Sequence, residues 1–216
     1  MYSCPISHLV MPVDLGAVSG RFQPFHLGHL EYVLEAHKRC RSLVIGIRNP
    51  DPFSAVSHPL DVRKSGPSAN PFTFYERMLM IEQSLSARRI PKDSFHIVPF
   101  PMGAPWRTKY YVPKSAVLFA ATFEDWSEAK TTILRRQGYR VFVFRTGGLH
   151  DRPVSGSDIR RRMREGRPWE YLVPAPVARV IRATSVYRRI WRSSLKDRSP
   201  RTFPSSSWPD SPFGSK

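Results

Sequence analysis

The chain has 216 residues, 41% apolar and 12% aromatic, with a formal charge of +17 from 26 arginines and 8 lysines against 17 acids. That is enough apolar material for one α/β domain with a real core, and it excludes a disordered chain. No apolar run approaches the roughly 20 residues of a membrane span, and "MYSCPISHLVMPVD" lacks the pattern of a signal peptide. Two cysteines, Cys4 and Cys40, fit a reduced, cytoplasmic protein and cannot build a zinc site unaided. The basic balance attracts phosphates, whether on free nucleotides, nucleic acid or an anionic surface.

Residues 1–13 read as a loose arm. "LGAVSGRF" (15–22) is a short, small, apolar run ending in turn signals, which predicts a buried strand. "LGHLEYVLEAHKRC" (27–40) carries Leu30, Val33, Leu34 and His37 at helical spacing. "SLVIGI" (42–47) is a second strand. Residues 48–70 hold four prolines and few periodic apolar positions, the mark of a long functional loop. "TFYERMLMIEQSL" (73–85) predicts a helix capped by Thr73 with Glu76 answering it. "FHIVPF" (95–100) and "AVLFAA" (116–121) are strands. A helix over 125–137 and a strand "YRVFVF" (139–144) follow. "SGSDIRRRMREG" (155–166) opens another helix, and residues 174–192 form the last. Beyond 196, serine, proline and charge predict a disordered tail. Strands alternate with helices, so a doubly wound parallel sheet, Rossmann-like, in one domain over 14–195 is expected.

"GRFQPFHLGH" (20–29) places His26 and His29 where the first strand gives way to a helix. Ligands of open parallel sheets bind beyond the carboxyl ends of the strands, and helix-start amides favour anions. Gly28 would let an anion approach the backbone without a Cβ in the way. A metal pair is disfavoured, since zinc helices usually set histidines at i and i+4 with a glutamate. Two merely structural histidines remain an alternative. The turn carries neither G-x-G-x-x-G nor a G-x-x-x-x-G-K-[ST] loop. "VSGSDIRRRMREG" (154–166) forms a second anion cradle: Ser157 can cap the helix, Gly156 is flexible, and Arg160 lies one turn in. Arg161, Arg162 and Arg164 fit solvated surface arginines. In "NPFTFYER" (70–77), Asn70 or Thr73 can cap the helix and Arg77 sits one turn in. His8, His37, His58, His96 and His150 read as surface or core histidines. Trp106, Tyr110 and Tyr111 suit either stacking on a ligand or packing.

These segments, in this order and with "WEYLVP" after the last, closely resemble the archaeal-type nicotinamide mononucleotide adenylyltransferases of the H-x-G-H nucleotidylyltransferase superfamily. The resemblance spans about residues 15–182. It implies a Rossmann-like fold and transfer of a nucleoside monophosphate from CTP or ATP to a small anionic acceptor, releasing pyrophosphate. It implies His26, His29 and Arg160 as catalytic residues. It assigns Arg21, Phe22, Gln23, Gly28, Arg77, Ser155, Gly156 and Ser157 to the nucleotide. Mg²⁺ would arrive with the triphosphate, with no dedicated protein metal site. Two segments depart from the pattern. "GIRNPDP" (46–52) stands where the adenylyltransferases read "GIGSAQ", and "AATFEDW" (120–126) where they read "YSGN". "NPDP" resembles a bacterial branch that includes the cytidylyltransferases of phosphonate antibiotic pathways, such as those acting on phosphonoformate in phosphinothricin biosynthesis. Arg48, Asn49 and Trp106 are then candidates for the acceptor, with Arg63 and Arg107 as further cations for a highly charged one. A different reading makes the chain a basic nucleic-acid-binding protein. Residues 179–201, with eight basic residues and one acid, would be its contact, but no nucleic-acid-reading signature accompanies them. A homo-oligomer is compatible with the sequence, and nothing in it selects an oligomeric state.

Overall fold

The computed structural model describes residues 12–51, 67–122, 125–146 and 154–184, with 186, 189 and 190. The expected tail, most of the arm, the middle of the 48–70 loop, and His8, His58, Arg63 and His150 lie outside the described residues.

Five strands form one parallel sheet. They are β1 (Val13–Gly20), β2 (Cys40–Arg48), β3 (Phe95–Phe100), β4 (Val117–Thr122) and β5 (Arg140–Thr146), in the order β3-β2-β1-β4-β5. The helices between them are α1 (Leu27–His37), α2 (Phe74–Ser86), α3 (Asp125–Arg136), α4 (Gly156–Arg164) and α5 (Ala175–Ala183). The chain winds outward from β1 to β3 and then returns to the other side of β1. The strand order therefore reverses between β1 and β4, where open α/β sheets form their ligand crevice.

Both faces of the sheet are covered, as an all-parallel sheet requires. Alternate residues of β2 separate the two cores. Leu43, Ile45 and Ile47 join the larger one with Phe22, Met80 and Trp169, whereas Val44 packs with Phe100, Leu118 and Leu134 on the α3 side. β1 pairs with β2 along its whole length, from Val13↔Cys40 to Gly20↔Ile47, but with β4 only at Gly16↔Val117 and Ala17↔Leu118. Where β1 and β4 part, the Tyr32 hydroxyl enters from α1. It donates to the Phe119 carbonyl at 2.6 Å and accepts from the Ser19 backbone. Burial pushes this phenol up to about 12, so it remains a donor.

The expected elements are all present, with shifted ends. β1 starts at Val13, inside the expected arm, and stops at Gly20. Helix α5 ends at Ala183, because Thr184 turns extended at φ −106° and ψ 160°; residues 186, 189 and 190 are helical again, so the expected 174–192 helix is interrupted at Thr184. No helix among the described residues is long and apolar enough to cross a membrane.

Gly46 shows how tightly the sheet is dressed. A Cβ there would fall 2.5 Å from Phe100 Cδ2 and 2.9 Å from its Cβ. Gly46→Ala is expected to destabilise the protein by about 1–3 kcal/mol through overpacking. A circular-dichroism melt measures this as a lowered Tm.

Candidate active site

His26 is the N-cap of α1 and His29 its third residue. The His26 ring accepts from the His29 amide through Nδ1 at 3.3 Å, and His29 Nδ1 accepts from the His26 amide at 3.4 Å. This is a capping box built from two imidazoles, in the places where serine or threonine and glutamate usually stand. The rings stack with centroids 3.6 Å apart at 22°. Phe22 packs edge-on against His29 at 4.9 Å, and Phe25 stacks on it at 5.9 Å. Since both Nδ1 atoms accept, each neutral ring carries its proton on Nε2. Capping and tautomer are therefore set by one pair of hydrogen bonds, with Nε2 as the N–H donor of each imidazole. A Cβ on Gly28 would meet only the His26 ring, at 3.5 Å. The fold itself would tolerate a side chain there, so the space left by Gly28 suits a ligand.

Arg77 lies buried beneath the loop that leads to these histidines. All five of its N–H donors go to backbone carbonyls. Nε reaches Thr73, Nη1 reaches Arg21 at 2.9 Å and Arg48 at 2.7 Å, and Nη2 reaches Asn49 at 2.7 Å and Pro50 at 3.4 Å. The carbonyls of Arg21 and Arg48 immediately precede Phe22 and Asn49, which hold left-handed φ values of 53° and 49°. Such conformations cost about 1–3 kcal/mol, more readily borne by asparagine than by phenylalanine. Arg77 thus pins two strained turns, one after β1 and one after β2. This differs from a direct contact with the nucleotide: Arg77 positions the loops. Gln23 acts likewise. Its side-chain amide donates to the Phe72 carbonyl at 3.1 Å and accepts from the Phe72 amide at 2.9 Å. Phe22 is fully buried, so its ring supports His29 and is not open to a ligand.

The start of α4 meets the same loop. Ser155, and not Ser157, is the N-cap, its Oγ accepting from the Asp158 amide at 3.1 Å. Ser157 falls in the first turn, exposed, 3.1 Å from Ser155 Oγ. The sequence pointed to Ser157 as the cap, but Ser155 has the extended backbone that a cap needs. Gly156 is required by packing rather than by flexibility, because a Cβ would lie 2.6 Å from the Gln23 carbonyl oxygen. That oxygen accepts from Arg160 Nη1. Two helix starts, those of α1 and α4, therefore meet at Gln23.

Arg160 is buried, and its Nε has no hydrogen-bond partner among the described residues. Burial, with the nearby cations Arg21 and Arg164, pushes its guanidinium down to about 10; burial and Arg21 do the same to Arg77, opposed by Glu76. Both stay charged at neutral pH. Several cations gathered in a partly desolvated place favour a bound anion. Arg161 and Arg162 instead pair with Asp158 on the outer side of α4, and hold its carboxyl below the usual carboxylate range. Arg48 and Asn49 close the β2 side. Trp106 comes from the sheet edge, in the 3-10 turn Pro105–Tyr110 after β3, and is 63% exposed. Arg107 is exposed on the same turn, and His37 is taken up by Ser94 at 2.9 Å. Phe72 was not marked by the sequence, because its contribution is its backbone.

A parallel sheet reversing between β1 and β4, with two helix starts and converging arginines at its carboxyl end, defines an α/β domain with an anion-favouring crevice. The chain belongs to the cytidylyltransferase-like family, whose model matches residues 17–162. It is 45% identical to the phosphonoformate cytidylyltransferase of Streptomyces viridochromogenes, over 81% of this chain and 94% of that protein. It is 34% identical to the nicotinamide-nucleotide adenylyltransferase of Thermococcus kodakarensis, over 82% of this chain and 87% of that protein. Among solved structures, a bifunctional NMN adenylyltransferase/ADP ribose pyrophosphatase from Francisella tularensis shares the fold at a TM-score of 0.59 and 17% identity. The match covers 88% of this chain and 58% of that one.

His26→Ala should cost about 1 kcal/mol of stability, the usual loss of an N-cap, whereas His26→Asn should stay close to the original because asparagine also caps. Arg77→Lys should cost about 3 kcal/mol, since a point charge leaves buried carbonyls without a donor. Urea denaturation of the three variants measures both effects.

Proposed function

We propose that this chain transfers CMP from CTP to phosphonoformate, a small and highly charged phosphonate, and releases pyrophosphate. The observation that carries the reading is the 45% identity to phosphonoformate cytidylyltransferase over nearly all of that protein. The segment "GIRNPDP" supports it, because Arg48 stands at the β2 end beside the anion-favouring loop, where bidentate contacts to carboxylate and phosphonate are available. Nicotinamide mononucleotide adenylyl transfer is the second reading, favoured by the archaeal relatives but less by the altered β2 end.

In the proposed reaction an oxygen of the acceptor attacks the α-phosphorus. The bond to the bridging oxygen breaks, and pyrophosphate leaves with the electron pair. His26 and His29 would offer their Nε2–H donors to the phosphate oxygens, where charge builds in the transition state. Arg160 and Arg21 would neutralise the triphosphate, with the α4 amides and the Ser155 and Ser157 hydroxyls beside them. Arg48, Asn49 and Trp106 would face the acceptor. Positioning and charge neutralisation supply the rate, with no covalent enzyme intermediate. Among the described residues no three His, Cys, Asp or Glu side chains cluster as a metal cage. The cationic donors present suit a metal that enters chelated by phosphate oxygens. Mg²⁺ bound in this way would withdraw charge from the leaving pyrophosphate. We place the reaction in the cytoplasm on the cysteine usage: only two in the chain, with Cys40 a free, buried thiol.

Pyrophosphate release is to be measured with CTP or ATP and each acceptor. Turnover is expected with CTP and phosphonoformate; release only with ATP and nicotinamide mononucleotide would overturn the reading. His29→Glu keeps a side-chain acceptor for the cap but carries no N–H donor. It should lower kcat/KM about 100-fold or more while leaving the melting curve nearly unchanged.

A further inference from the structure

The described part of the basic C-terminal stretch is folded into the domain. Helix α5 packs on α2. Beyond α5, Val186 and Ile190 are buried in the main core. Between them Arg189 donates from Nη2 to Glu76 Oε1. Glu76 is itself 8% exposed and belongs to the α2 capping box. Its Oε2 accepts from the Thr73 amide at 2.9 Å, and its own amide donates to Thr73 Oγ1 at 3.2 Å. The Thr73 carbonyl accepts from Arg77 Nε at 3.1 Å. Arg77 then holds the carbonyls of Arg48, Asn49 and Pro50.

We propose that Arg189 is a positioning residue for the acceptor side of the site. It acts through Glu76, Thr73 and Arg77 on the turn that follows β2. The inference rests on the reading of that turn as the acceptor side. Three features argue for it. The carboxylate of a capping box usually faces solvent, where it needs no cation; here it is buried and one of its oxygens is answered by Arg189. Every link between Arg189 and Asn49 is a hydrogen bond, with no intervening gap. The turn at its end holds a left-handed Asn49, a conformation that persists only where its surroundings over-determine it. Loosening Glu76 would let the start of α2 fray, and with it the clamp on this turn. The β1 side has a further hold that does not pass through α2, because the Gln23 carbonyl accepts from Arg160.

The test compares the full-length protein with Arg189→Met and Arg189→Lys. KM is measured separately for the acceptor and for CTP, and hydrogen–deuterium exchange is followed in the apo proteins. Arg189→Met should raise the acceptor KM roughly fivefold, within the range of coupling carried by a contiguous network, with the CTP KM changed less than about twofold. The amides of Asn49 and Asp51 should exchange faster while those of β3 keep their protection. Arg189→Lys should recover part of both effects. Equal changes in both KM values, or exchange at Asn49 and Asp51 like that of the original protein, would overturn the inference. Absence of turnover with CTP and phosphonoformate in the original protein would instead overturn the proposed reaction, and the exchange comparison would still decide the role of Arg189.

Discussion

The site depends on one buried guanidinium. Arg77 takes up the carbonyls at the ends of two neighbouring strands and of the helix cap beneath them. No other side chain could replace it, because only arginine offers five donors in a planar fork. Without it, the turns after β1 and β2 would each keep their backbone strain and lose the bonds that offset it. The loop that carries His26 would then be held through Gln23 alone.

Charge is distributed by the same economy of placement. Arg77 is answered by carbonyls alone, which hold partial rather than full negative charge. Arg160 has one carbonyl and a buried Nε without a partner among the described residues. The carboxylates near α4 and α2 are turned elsewhere, Asp158 toward Arg161 and Arg162, Glu76 toward Arg189. Among the described residues neither carboxylate is a partner of the Arg160 guanidinium, which lies at the carboxyl end of the sheet. Two helix starts meeting at Gln23 add their amides to it.

Much of this was legible beforehand. The alternation of short apolar runs with amphipathic stretches announced the parallel sheet, and the Thr73–Glu76 spacing announced the α2 cap. The ordered "GRFQPFHLGH", "NPFTFYER" and "SGSDIR" segments brought the right loops to one place. What could not be read was the division of labour within them. Arg77, Gln23 and Phe22 look like ligand contacts in a linear pattern, yet Phe22 packs on the rings of Phe25 and His29, and the partners of Arg77 and Gln23 are backbone groups as distant in sequence as Asn49 and Phe72. The cap falls on Ser155 rather than the expected Ser157 because of backbone angles that residue type does not show. Gly156 looked like a flexible hinge, whereas its missing Cβ is filled by a carbonyl from the β1–α1 loop. Arg189 lay in a stretch whose charge suggested solvent or nucleic acid, and only the packing of Val186 and Ile190 turns it inward. Tertiary hydrogen bonds to main-chain atoms leave no signature in residue type.

Tyr32 gives helix α1 a metric role. Its hydroxyl closes the split between β1 and β4, and six residues earlier the same helix begins at His26. At 1.5 Å per residue the two points are about 9 Å apart along the axis. The floor of the crevice and its histidine end are thus carried by a single rigid rod. The helix works as a ruler: the histidine pair stands above the strand split at a distance that no loop movement can alter.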